Sequence, residues 1–256
     1  MTWRADRSPP TAAEAATAWH AAWHPLYRVG GVAALLFVAL LLIALVLDAL
    51  APPPVTGSVE TLLFIADNKA VYVAEQVLWI APGYLMVLVF VTLGVALAPV
   101  GRSCAVLAGL LGALPWALSL AIPVSTRGSL ILVTLSDRFV TAAASERPAI
   151  LAAAEAVVAE NNTLTLTGPL SAIGLLVAAL AMTRGVFPSI LGWLGVAAGV
   201  LGVAAELLRF VVPDLYLGAL LQWVWVVWTG LVLLRLGRPH PTTAPAPPRS
   251  KAGQGS

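Results

Sequence analysis

The stretch from Val29 to Leu47 reads VGGVAALLFVALLLIALVL and contains no polar side chain. Its 19 residues form, as a helix, a rod about as long as the ~30 Å hydrocarbon core of a bilayer. Five further uncharged runs of similar length follow it, and each predicts another helix of the same kind. They are Val77 to Ala98, Ser103 to Thr126, Asn161 to Thr183, Gly185 to Ala205, and Leu215 to Leu234.

The composition excludes a soluble globular protein. Hydrophobic residues make up 60% of the chain, charged residues make up 10%, and the mean hydropathy is +0.93, whereas soluble domains carry about 25% charged residues. The runs are continuous rather than alternating, which favours helices over a membrane barrel. The predicted fold is therefore all-α, an integral membrane bundle of six transmembrane helices with short outer surface helices.

Two long connections separate these runs. In the first, Asp48 to Gln76, the segment Val59 to Val73 predicts a short surface helix, and Asp48 itself is expected to meet water. In the second, Arg127 to Glu160, Ser145 is typical of a helix start before an Ala-rich helix. We interpret residues 1–25 as a cytoplasmic tail that can carry an interfacial helix, 26–236 as the transmembrane domain, and 237–256 as a disordered cytoplasmic tail. The first run is read as a retained helix because Pro52 follows the small residues that resemble a signal-peptide cleavage site.

The charge distribution predicts the orientation of the chain. With the N-terminus inside, the inner side holds nine Lys and Arg against two carboxylates, and the outer side holds five against ten. The short-loop arginines, which carry the positive-inside rule, all fall inside: Arg28, Arg102, Arg184 and Arg235. Both termini are therefore expected in the cytoplasm. The richness in Ala, Leu, Val and Gly is typical of a bacterial protein, so the membrane is expected to be the bacterial inner membrane.

A glycine stripe marks the fifth run. Gly192, Gly195, Gly199 and Gly202 fall within about 80° of one another on a helix, and such stripes let neighbouring helices approach closely. Glu206 continues the stripe, so we expect it to point into the bundle with Arg209 as its partner. The alternative is an ion pair at the membrane surface that ends the helix.

A second polar group opens the second run. Glu75, Gln76 and Trp79 lie on nearly one face, and Pro82 is expected to bend the helix one turn below. On the sixth run, Gln222 and Trp225 share a face, and Trp223 and Trp228 can face lipid. Ionisable residues at membrane depth favour a functional role, although Glu75 at headgroup level and polar residues between helices also have plain structural uses. Together these residues and Glu206 could line one outward-opening pocket.

No cofactor or metal site is expected. Cys104 is the only cysteine, and the sequence contains no nucleotide-binding or hydrolase motif. His20 and His24 are interpreted as part of an interfacial amphipathic segment. The expected partners are the lipid bilayer and a lipid or small-molecule ligand, and nucleic acid is not expected.

Five segments carry a resemblance to a known family: Tyr27 to Gly31, Arg147 to Glu160, Arg184 to Pro188, Leu191 to Gly195, and Trp228 to Leu233. They resemble a family of bacterial six-pass membrane proteins catalogued as domain of unknown function 4386. The resemblance covers roughly residues 26–236 and implies no known activity, so it assigns no catalytic residue. The leading functional hypothesis is a non-enzymatic membrane protein with an outer ligand pocket. The alternatives are a small ion-coupled transporter, with Glu75 and Glu206 as ion sites, and a membrane-embedded enzyme acting on a lipid or isoprenoid.

Overall fold

The chain folds as a helical bundle with a second group of helices at one end. The computed structural model describes residues 11–52, 54, 57–121, 124–125, 128–162, 167–208 and 217–238. The helices are α1 (Ala12–Ala22), α2 (His24–Leu50), α3 (Val59–Asp67), α4 (Lys69–Ile80), α5 (Gly83–Leu97), α6 (Arg102–Ser119), α7 (Leu130–Thr141), α8 (Arg147–Asn162), α9 (Thr167–Met182), α10 (Ser189–Leu208) and α11 (Leu217–Leu236). The strands are β1 (Val124–Ser125) and β2 (Gly128–Ser129).

Six apolar helices form the bundle, namely α2, α5, α6, α9, α10 and α11. Each packs on the next in chain order, and α11 returns to α2, which closes the ring. Aromatic side chains fill its centre: the rings of Phe37 and Trp116 lie 5.4 Å apart, and those of Phe90 and Trp225 lie 6.4 Å apart. The predicted all-α bundle is thereby confirmed.

The glycine stripe of α10 packs on α9, as predicted. A Cβ placed on Gly199 would lie 2.9 Å from the Cβ of Leu176, and one on Gly202 would lie 3.1 Å from the Cβ of Ala172. At this separation the backbones themselves set the helix–helix distance.

The cap is the second group of helices, and we define it as α3, α4, α7, α8 and the β1–β2 hairpin. It has its own hydrophobic core, separate from that of the bundle. Within the cap, α3 packs on α7 and α7 packs on α8, while α4 connects the cap to α2 of the bundle. The core residues are Leu62, Ile65, Tyr72, Leu132, Phe139, Ile150, Ala154 and Val158.

Some of the apolar helices have the length of a membrane span. Among the described residues, three helices are long and apolar enough to cross a membrane: His24–Leu50, Lys69–Leu97 with its turn, and Arg102–Ser119. Three further apolar helices are shorter, at Gly168–Met182, Ser189–Ala205 and Leu220–Leu236. The count of six spans therefore stays a prediction.

Three predicted boundaries are wrong. The second helix does not open near Glu75, because α4 begins at Lys69, and the helix is interrupted at Ala81 and Pro82 before α5. The third run does not continue to Thr126, since α6 ends at Ser119 and β1 follows. The fourth run does not begin at Asn161, because α8 extends to Asn162 and α9 starts at Thr167. Apolar composition shows which residues tolerate lipid. Packing against the cap also stabilises helices, so the ends of helices need not coincide with the ends of apolar runs.

The surface helices are also more extensive than predicted. The segment Val59 to Val73 contains all of α3 and the start of α4, and the predicted Ala-rich helix is present as α8. Helix α7 and the hairpin were not predicted. Asp48 does not meet water freely, since its side chain is only 8% exposed. The physical reason is that the cap helix α4 packs on α2.

The two ends of the bundle lie on the same side. Arg28, near the start of α2, donates from Nε to the carbonyl of Gly237 just after α11, at 2.8 Å. Helix α1 lies against that side as well, because the indole of Trp19 donates to the carbonyl of Val95 near the end of α5 at 3.0 Å. The first residues, 1–10, and the tail 239–256 lie outside the described part of the chain.

Candidate functional site

The candidate site is built on α4, where the cap meets the bundle. Glu75 and Gln76 are adjacent in sequence and are 1% and 0% exposed. Burying a carboxylate and an amide next to each other has a free-energy cost that polar surroundings must offset. The two residues therefore mark the most polar buried position on this helix.

The β1–β2 hairpin covers the same face of α4. Tyr72, one turn before Gln76, accepts a hydrogen bond from the Ser129 backbone N–H at 3.1 Å, and its hydroxyl lies 3.3 Å from the Ser129 carbonyl as a donor. A Cβ placed on Gly128 would overlap the Tyr72 hydroxyl and lie 3.2 Å from Nε2 of Gln76. Only a residue without a side chain lets the hairpin approach this closely.

The hairpin also starts the next cap helix. The Ser129 hydroxyl accepts from the backbone N–H of Ile131 at 3.1 Å, which caps the N-terminus of α7. Tyr72, on the same helix as Glu75 and Gln76, is therefore connected through Ser129 to the start of α7. Sequence reasoning missed Tyr72 and Ser129, because their partnership joins residues 57 positions apart. The only signal in the sequence was the spacing of Tyr72, Glu75 and Gln76, which places the three residues on one face of a helix.

Trp79 extends the site toward the bundle. It lies one turn after Glu75, is half-buried, and packs on the bundle core. Its indole nitrogen is buried and has no hydrogen-bond acceptor among the described residues, and the same holds for that of Trp116. This part of the interior thus presents hydrogen-bond donors within an apolar wall.

The predicted residues of α11 lie in the bundle itself. Trp225 is fully buried between Phe90 of α5 and Gly195 of α10, and Gln222 is half-buried one turn earlier. The principal contacts of α4 are with α2, α3, α7 and β1, whereas those of α11 are with α2 and α10. Glu75, Gln76 and Trp79 thus lie on α4, where the cap meets the bundle, whereas Gln222 and Trp225 lie on α11.

The other half of the predicted pocket is not described. The backbone of Glu206 belongs to α10, but its side chain and the whole of Arg209 lie outside the described residues. A pocket shared by Glu75 and Glu206 therefore stays a prediction.

The histidines take a structural position. His20 Nδ1 and the Tyr27 hydroxyl are hydrogen-bonded at 2.8 Å, which joins α1 to α2. Partial burial lowers the pKa of His20, and the electrostatic effect of His24 lowers it further. Within the described ranges, no group of three His, Cys, Asp or Glu side chains is arranged to hold a metal ion.

The comparisons with known proteins give one result. A family model described as "Domain of unknown function (DUF4386)" matches residues 29–237, which is well over half of the chain. Neither a curated protein nor a solved structure matches the chain. The match agrees with the resemblance seen in the sequence.

Proposed function

Because the chain belongs to the DUF4386 family, whose description assigns no activity, we propose its function from the buried polar residues. We propose that it is a six-pass protein of the bacterial inner membrane that binds a lipid or small molecule in an outward-facing pocket between cap and bundle. The observation that carries the proposal is the burial of Glu75 and Gln76, side by side, on the helix that joins the two regions.

The cost of this burial supports a functional role. An ionisable residue near the membrane is expensive to place and is a functional hypothesis by default. A structural role alone would be served as well by apolar side chains, as in the cap core around Leu62 and Ile65. Trp79 adds an aromatic surface and a buried donor on the same helix, which is the mixture of apolar wall and few polar groups typical of ligand sites.

The ligand site is tested by removing the charge at Glu75. We expect Glu75→Gln, and likewise Gln76→Leu, to abolish retention of a co-purifying ligand in native mass spectrometry of the detergent-extracted protein. Glu60→Gln is the matched control, because Glu60 is an exposed carboxylate of the cap. If the Glu75→Gln protein folds and retains the same bound species as the wild type, the pocket is not at Glu75.

The proposed orientation places both termini in the cytoplasm. It is supported by the four arginines of the short inner loops and by the contact between Arg28 and Gly237, which joins the two ends of the bundle. Alkaline phosphatase fused after Arg238 should be inactive, and a fusion between Ala142 and Ala152 should be active. The reverse pattern would invert the orientation.

An ion-coupled transporter is the second candidate. The interruption of the helix at Ala81 and Pro82 favours it, since transporters build their sites at broken helices. Substrate-dependent flux in proteoliposomes that Glu75→Gln removes would support transport over simple binding. Chemical turnover of a co-purifying lipid would instead support the third reading, a membrane-embedded enzyme.

A further inference from the structure

The end of the bundle opposite to the cap carries a group of exposed arginines. Arg28, at the start of α2, contacts the end of α11 through the Gly237 carbonyl. The α9–α10 turn lies beside the α5–α6 turn, because a Cβ placed on Gly185 would lie 3.0 Å from Cγ2 of Val100. Helix ends that are distant in the chain thus present one cationic surface. Its described arginines are Arg28, Arg102, Arg184, Arg235 and Arg238, and all five are exposed.

Carboxylates do not balance these arginines. Among the described residues of this end, the only carboxylate is Glu14, which is engaged in the cap of α1 with Thr11. No arginine of the group forms an ion pair with a described carboxylate, whereas Lys69 and Asp137 of the cap do pair. The cap helices α3, α4, α7 and α8 carry six carboxylates against three Lys and Arg. The two ends of the molecule therefore have opposite charge, and this end attracts anions.

The arginines also lie at the edge of an apolar surface. Arg28 is followed by Val29 and Val32, which are 49% and 56% exposed. Arg184 is followed by Val186, which is 43% exposed. An arginine in such a position can lay its methylene groups on hydrocarbon and keep its guanidinium among the lipid headgroups. A soluble acidic partner would leave the apolar side chains beside the charge uncovered, whereas a phospholipid contacts both.

Two tryptophans at the same end are a second sign of the headgroup layer. The rings of Trp19 in α1 and Trp23 just after it lie 5.9 Å apart, and the residues are 39% and 37% exposed. The indole of Trp19 donates to the carbonyl of Val95 near the end of α5, which holds α1 against the bundle. Exposed tryptophans are typical of the boundary between hydrocarbon and headgroups.

We propose that this end of the bundle binds an anionic phospholipid, whose phosphate is held by Arg28, Arg235 and Arg238. Arg28 and α11 are in close contact, since a Cβ placed on Gly237 would lie 2.8 Å from Cγ of Arg28. Arg235 lies in the last turn of α11, and Arg238 directly follows Gly237. Guanidinium groups match phosphate oxygens with paired hydrogen-bond donors.

The headgroup charge follows from the same residues. A zwitterionic lipid such as phosphatidylethanolamine adds an ammonium group, and Glu14 is the only described carboxylate at this end that could receive it. Phosphatidylglycerol has the phosphate without the ammonium group, so the arginines favour it. The site lies at the other end of the bundle from Glu75 and does not depend on the pocket proposed there.

Native mass spectrometry of the full chain tests the proposal. The detergent-extracted protein is incubated with equal amounts of phosphatidylglycerol and phosphatidylethanolamine, with acyl chains that separate their masses. We expect the wild type to retain phosphatidylglycerol in about fivefold excess, and Arg235→Gln combined with Arg238→Gln to remove most of that excess. Arg138→Gln combined with Arg147→Gln removes the same charge from exposed positions of the cap and should leave the excess unchanged.

Three outcomes overturn the proposal. Equal retention of the two lipids by the wild type would show that this end does not select an anionic headgroup, and that comparison needs no variant. An equal loss in the two double variants would mean that net charge, rather than this site, attracts the lipid. Displacement of phosphatidylglycerol by inorganic phosphate, but not by chloride at equal ionic strength, would mean that the arginines select free phosphate. Glu75→Gln should leave the excess unchanged, which separates this site from the pocket at Glu75.

Discussion

The bundle and the cap both have cores of bulky side chains, but they differ in how closely their helices approach. In the bundle, backbones touch through small residues: a Cβ placed on Gly94 would lie 3.3 Å from the Cα of Gly109, so α5 and α6 meet with no side chain between them. In the cap, bulky side chains such as Leu62 and Phe139 form the core, and side chains bond to backbone groups. The Ser136 hydroxyl donates to the carbonyl of Leu62 at 2.6 Å, for example.

The solvent explains the difference. Lipid tails are as apolar as leucine, so helices in a bilayer gain little from burying large apolar side chains and associate through close packing. The cap is built mostly from the two long connections between the apolar runs, which we expect to lie in water, where transfer of apolar surface out of water is the main driving force. Gly57, just before α3, has another role. It adopts a φ of 71°, which other residues rarely adopt, and its backbone lies close to that of α8.

The largest effect is expected in the cap core. Leu62→Ala removes a fully buried side chain and should destabilise the cap by about 2–5 kcal/mol. Hydrogen exchange of the α3 and α7 amides should accelerate accordingly, while the bundle amides stay protected. Leu63→Ala is the matched control, because Leu63 is 45% exposed. Equal effects of the two variants would contradict a separate cap core.

The bundle should respond to added volume instead. Gly199→Leu places a side chain where a Cβ alone would lie 2.9 Å from that of Leu176, and overpacking of this kind costs about 1–3 kcal/mol. The melting temperature in detergent should fall, whereas Val200→Leu, next in sequence and 52% exposed, should leave it unchanged. A Gly199→Leu protein that melts like the wild type would show that the α9–α10 seam is not closely packed.

The contact between α4 and the hairpin should be weaker than either core. Tyr72→Phe removes the hydroxyl that accepts from the Ser129 N–H, and an unsatisfied buried donor costs about 1–3 kcal/mol. Exchange of the Ser129 amide should accelerate, with little change in the bundle. Tyr84→Phe, at a 64% exposed position of α5, is the control, and comparable acceleration in both variants would refute the role of Tyr72.

The smallest effect is expected on the cap surface. Lys69 and Asp137 form an ion pair at 2.6 Å, but the side chains are 50% and 52% exposed, so their coupling should be about 0.2–1 kcal/mol. A double-mutant cycle of Lys69→Met and Asp137→Asn measures it, and 1 M salt should remove it. A larger coupling that persists in salt would show that the pair helps to hold α4 on α7.

The apolar helices were predictable because their signal is local. Each is a long run without charge, and the stripe from Gly192 to Gly202 repeats at helical spacing within a single helix. The break after Ile80 could be predicted too, since Pro82 lacks the N–H that a helix requires. These features need no knowledge of which helix lies beside which.

The site was predictable in part. Glu75, Gln76 and Trp79 stand out because polar residues at the edge of an apolar run are rare, and the structure places the first two in the interior. The hairpin against Tyr72 could not be foreseen, because Gly128 and Ser129 lie in a segment without any strong pattern. Short strands and a 12-residue helix such as α7 are stabilised by what they pack on rather than by their own propensity.

The sequence by itself determined the membrane class, the apolar helices and the residues that allow them to approach. A bilayer imposes a length and an apolar composition on each segment separately, so these properties can be read from each segment alone. Only the tertiary structure decided that the two long connections meet in one cap and that this cap buries Asp48 and Glu75. Those features depend on contacts between residues distant in the chain, and in water such contacts are chosen by the shapes that fit together rather than by any local pattern.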